Sequence, residues 1–127
     1  MIYKTENLTT ASIGYALDAA NLRHQAIASN IANVNTVGYV PQQVSFARQM
    51  EQMQTMFEQS ASSDTVDFSH MKLQLEPMLN AQGAPAKVEL DAEVAAMAQN
   101  AVHYQALVKG LSRHYAILAS AMTDGKK

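Results

Sequence analysis

Ten apolar residues hold one unbroken register through the last third of this chain. Leu90, Val94, Met97, Ala101, Tyr104, Val108, Leu111, Tyr115, Leu118 and Met122 are spaced alternately by four and by three. That alternation is the seam of a helix that packs along its length on another helix. With 48% of the residues hydrophobic, such a run in any one register arises by chance roughly once in a thousand trials. Asp91 is placed to cap the helix start, and Glu93 lies in the first turn, where the helix dipole favours a negative charge. Gly110 interrupts the run at a cost of about 1 kcal/mol relative to Ala. It marks either a close helix approach or a tolerated position.

A second seam lies near the N-terminus. Ile13, Leu17, Ala20, His24, Ile27, Ile31 and Val34 repeat the same spacing with one polar interruption at His24. Thr9 or Thr10 is a candidate cap. Asn33, Asn35 and Gly38 tolerate left-handed backbone and signal the stop. Length then becomes an argument. A helix from Asp91 to Met122 spans about 48 Å, and the N-terminal one about 37 Å, at 1.5 Å per residue. A compact globule of this chain length is only about 36 Å across. The C-terminal seam is expected to outrun its intramolecular partner, and the surplus points to burial against other subunits.

The chain therefore divides into an N-terminal helix and turn (1–39), a middle segment (40–87) and a C-terminal helix (88–127). In the middle, Phe46, Met50, Met53 and Phe57 have helical spacing. Residues 60–64 read as a linker, and the alternation of Met71, Leu73 and Leu75 with polar residues suggests a short strand. The expected fold class is all-α, with long N- and C-terminal helices packed as a coiled-coil-like pair around an irregular middle.

Composition excludes several functions. There is no cysteine, so disulfides, thiolate nucleophiles and Cys-ligated metals are out. A net charge of -2 without a basic stripe argues against nucleic-acid binding. No apolar run reaches membrane-spanning length, and the start lacks a cleaved secretory signal. His24, His70, His103 and His114 form no pair at metal-ligand spacing. Ser29, Ser45, Ser112 and Ser120 lack a nucleophile elbow. The cluster of Glu89, Asp91 and Glu93 suits a helix start better than an acid–base pair. No catalytic, cofactor-binding or metal site is expected. The residues singled out for helix packing or assembly are Ile27, Ile31, Val94, Met97, Tyr104, Leu107, Val108, Leu111, Tyr115 and Leu118.

The stretch Ala28-Ser-Asn-Ile-Ala-Asn33, followed by Thr36, Gly38 and Tyr39, resembles the signature of the flagellar rod and hook proteins. Val37 stands where that family most often has Pro. A second segment, Val88-Glu-Leu-Asp-Ala-Glu93 with Met97, Asn100, Tyr104-Gln-Ala-Leu-Val108 and Leu111-Ser112, resembles the C-terminal helix of its proximal-rod branch. The resemblance covers roughly half the chain. It implies a rod subunit exported unprocessed by the flagellar type III machinery. Such a subunit assembles in the periplasm, near the MS-ring and export-apparatus end, with copies of itself and other rod proteins. It also marks Ser29, Asn30, Asn33, Thr36, Gly38 and Tyr39 as the motif that shapes the subunit. A soluble helical interaction module, such as a secretion chaperone or coiled-coil adaptor, shares the seams but has no need of that motif, and predicts a closed dimer.

Overall fold

The computed structural model describes residues 2–60 and 71–125, with side chains described for 6–59 and 71–125. Its elements, in order, are helix α1 (Ile2–Ala32), strand β1 (Gln42–Val44), helix α2 (Phe46–Ser60), strand β2 (Leu75–Pro77) and helix α3 (Leu90–Asp124). Helices α1 and α3 form an antiparallel hairpin, the main tertiary contact of the molecule. Antiparallel β1 and β2 pair Gln42 with Pro77, Gln43 with Glu76 and Val44 with Leu75. Of the expected linker, Ser60 ends α2, and residues 61–64 lie outside the described residues.

Three expectations about the helix ends need correction. Helix α1 starts at Ile2 rather than at a Thr9 or Thr10 cap. A candidate cap is only a local preference, and the helix continues through both threonines for about two turns towards the N-terminus. With 31 residues in α1 and 35 in α3, the helices differ by only about 6 Å, so α3 does not outrun its partner. Second, the cap of α3 is Glu89, which makes no side-chain capping bond, and Asp91 lies inside the first turn. Third, only Gly38 (φ +78°) uses left-handed backbone at the end of α1, since no non-glycine residue among those described has positive φ. Helix α3 runs unbroken through Gly110, where an added Cβ would meet nothing within 4 Å. That glycine marks no close approach.

The core is small and built largely of alanine. Tyr15, Ala19, Ala20, Ala26, Ile27 and Val44 are its buried apolar residues. Four polar residues, Asn30, Ser45, Glu93 and Asn100, are buried with them. Small side chains on α1 leave its backbone within reach of α3, and Asn100 bonds the Ala20 carbonyl there. Pro41, also fully buried, passes its carbonyl to the Met78 amide at 2.8 Å. That bond extends the strand pair by one step.

Candidate functional site

The end of α1 is closed by side chains of its own sequence. Asn33 donates Nδ2 to the Ser29 carbonyl at 2.8 Å, and its Oδ1 accepts from Thr36 Oγ1 at 3.1 Å. The Asn33 amide also reaches the Ser29 carbonyl at 3.1 Å. These bonds satisfy terminal carbonyls that the helix leaves open. A turn follows, in which the Tyr39 amide donates to the Thr36 carbonyl at 3.3 Å. Gly38 sits at its third position with φ +78°, as a type II turn requires. Val37 occupies the second position and is 99% exposed.

The turn folds Tyr39 back onto α1. Its hydroxyl donates to Asn30 Oδ1 at 3.0 Å and lies 3.2 Å from Ser29 Oγ. The single phenolic proton is used on Asn30, so Ser29 is the donor in the second contact. Asn30 is the hub. Its Oδ1 also accepts from the Gln42 amide at 2.9 Å, and its Nδ2 donates to the Gln42 carbonyl at 2.9 Å. Nδ2 further donates to Glu93 Oε2 at 3.2 Å. With only 1% of its surface exposed, one side chain thus joins α1, the turn, β1 and α3. Every polar position of the amide is filled.

A second buried amide lies one heptad along α3. Asn100, 4% exposed, donates Nδ2 to the Ala20 carbonyl at 2.9 Å. Its Oδ1 has no partner among the described residues. Glu93 and Asn100 begin the row of α3 that faces α1, which continues through half-buried Leu107 and His114. Met97, Leu111 and Leu118 flank that row and are half-buried too.

The other side of the seam points away. Val94 (52% exposed), Val108 (40%), Tyr115 (51%) and Met122 (71%) lie at heptad spacing with exposed Ala101. Tyr104 is exposed as well. From residue 92 to 108 the only carboxylate or Lys/Arg charge on α3 is Glu93, and that one is buried. The exposed surface of α3 therefore carries no carboxylate, Lys or Arg over about four turns. Of the residues marked from the sequence, Ile27 is buried and Ile31, Met97, Leu107, Leu111 and Leu118 are half-buried. Val94, Tyr104, Val108 and Tyr115 form an exposed face. Sequence reasoning gave Glu93 only a dipole role and assigned Asn100 no contact. The signal that finds them is their seven-residue separation, in the position just inside the seam.

No group of three or more His, Cys, Asp or Glu residues able to hold a metal occurs among the described residues. Nor is any described helix long and apolar enough to cross a membrane.

Comparison with known proteins agrees with the motif. Residues 14–39 match the family model described as flagella basal body rod protein. These residues hold the second half of α1 and the whole turn. The chain is also similar to the flagellar basal body rod protein FlgB of Bacillus subtilis (strain 168). The two are 29% identical over 123 residues, which cover 93% of this chain and 95% of that relative.

Proposed function

We propose that this chain is a flagellar basal body rod subunit, a reading supported by the match of its motif region and by its similarity to a rod protein over most of its length. The role is structural. The α1–α3 hairpin gives a stiff body, and the exposed row Val94, Ala101, Val108, Tyr115 and Met122 packs against neighbouring subunits. The observation that carries this reading is the uncharged, apolar outer face of α3, which a free hairpin would leave in water. Contacts between unlike faces of successive subunits do not close on themselves and build a helical tube. Burial of four large side chains at about 1.5–3 kcal/mol each per subunit gives such a tube its cohesion. The partners we propose are copies of this chain and other rod proteins, at the proximal end of the rod near the MS ring and export apparatus. Delivery is through the type III export machinery without a cleaved signal, and the working place is the periplasm. The division into terminal rod helices (1–39 and 88–127) around a variable middle belongs to the same proposal.

The test is a strain deleted for the gene and complemented with variants. Loss of rods and motility on deletion, restored by the intact chain, is the expected outcome. Val108→Asp and Tyr115→Asp alter exposed positions, so the isolated proteins stay folded while incorporation into basal bodies fails. Complete rods from both variants would overturn the assignment of this face.

A further inference from the structure

The seam and the buried face of α3 are not the same face. The seam combines two rows: Leu90, Met97, Tyr104, Leu111 and Leu118, and then Val94, Ala101, Val108, Tyr115 and Met122. The face turned inward combines half-buried Met97, Leu111 and Leu118 of the first row, whose Leu90 and Tyr104 are exposed, with Glu93, Asn100, Leu107 and His114. At about 100° per residue the centres of the two faces differ by about 50°. Apolar burial alone turns the second row inward, because it offers Val94, Ala101, Val108 and Tyr115 in place of Glu93, Asn100, Leu107 and His114. The molecule adopts the opposite rotation.

We infer that Glu93 and Asn100 are the specificity-determining residues that hold α3 in this rotation and so keep its apolar row available for a second subunit. Glu93 is 7% exposed and accepts from Asn30 Nδ2 at 3.2 Å, and Asn100 donates to the Ala20 carbonyl at 2.9 Å. Rotation by half a residue step breaks both bonds at once. It leaves Asn30 Nδ2 with one acceptor and carries two polar groups across an apolar contact. Ala19 and Ala20, 6% and 1% exposed, make the close approach that lets Asn100 reach the α1 backbone. A buried amide that fixes register is a known device in paired helices. Here it fixes rotation. The role in assembly rests on the rod reading; the rotation itself does not.

The chain has no cysteine, so single thiols report the rotation of the isolated protein. Val94→Cys and Val108→Cys are each combined with Glu93→Ala/Asn100→Ala and labelled with a water-soluble maleimide, with exposed Ala98→Cys as reference; alanine removes both polar bonds without making the inward row the more apolar one. In the parent background both thiols react quickly. In the double-alanine background they slow by about tenfold or more relative to Ala98→Cys, as expected for groups turned into a contact. Unchanged rates in a folded double-alanine protein overturn the inference. So does a double-alanine protein that fails to fold, because Asn30 Nδ2 keeps the Gln42 carbonyl at 2.9 Å and the turned helix has an apolar row to bury. Turned helices that still assemble into rods would leave the rotation standing and defeat the assembly face instead.

Discussion

Replacing Asn30 isolates the contribution of the polar hub. Asn30→Ala removes three neutral hydrogen bonds, one from Tyr39 and two with Gln42, and one to the Glu93 carboxylate. At about 1 kcal/mol for each neutral bond and about 1.5–3 kcal/mol for the bond to the carboxylate, the simple sum is about 5 kcal/mol. Members of one network are not additive, and the freed groups recover part of the loss by relaxing, which brings the expected cost to about 3–5 kcal/mol. With an unfolding entropy of roughly 2.1 cal/mol/K per residue, the melting temperature falls by about 10–20 °C. The assay is thermal unfolding followed by helical circular dichroism, at a concentration where the protein is monomeric. Asn21→Ala, an exposed amide on the same helix, is the control and shifts stability by no more than about 0.5 kcal/mol. Asn30→Asp sharpens the test. It keeps the acceptor for Tyr39 and the Gln42 amide, but sets a second carboxylate oxygen against Glu93 and the Gln42 carbonyl. Two carboxylates in contact share a proton, so the folded pair takes up protons more readily than the unfolded chain. A raised folded pKa adds stability that is present at acid pH and lost as pH rises through it. Asn30→Asp is therefore destabilised at neutral pH and partly rescued by acid, whereas Asn30→Ala shows no such rescue. Equal melting of Asn30→Ala and Asn21→Ala, or a pH-independent Asn30→Asp, would refute the hub.

Further expectations concern single positions. Gly110→Ala adds about 0.5–1 kcal/mol, because the helix gains propensity and the new Cβ meets nothing within 4 Å; a lower melting point would contradict an unbroken α3. Val37→Pro adds about 0.4–1 kcal/mol by stiffening the unfolded chain at the second position of the turn, where the side chain is 99% exposed and packs on nothing; denaturant midpoints measure it, and a loss would refute the turn type. Burial raises the Tyr15 phenol above its ordinary value of 10.0, so its stabilising contribution is full below that value and disappears as pH climbs past it. Tyr15→Phe consequently flattens the alkaline limb of the stability–pH profile, and an unchanged limb would exclude Tyr15 as its cause.

The heptad spacing of α1 and α3 is a local property, set by residues three and four apart, and it was legible in the chain itself. So were α2, from Phe46, Met50, Met53 and Phe57, and the turn at Gly38, whose backbone only glycine adopts readily. The extent of α1 was less visible. Its first two turns carry no capping signal that periodicity or a cap residue could mark. The partner strand of β2 was hidden for a different reason: Gln42–Val44 is three residues long and pairs with residues more than thirty positions away. Most of all, periodicity identified the α3 seam but not which side of it turns inward. Two faces about 50° apart share half their residues, and apolar content favours the one that stays outside. The decision comes from Asn30 meeting Glu93, 63 residues away, and Asn100 meeting the Ala20 carbonyl, 80 residues away. A hydrogen bond between buried groups has a direction and a length, whereas apolar burial has neither, so only the assembled tertiary structure could choose the face.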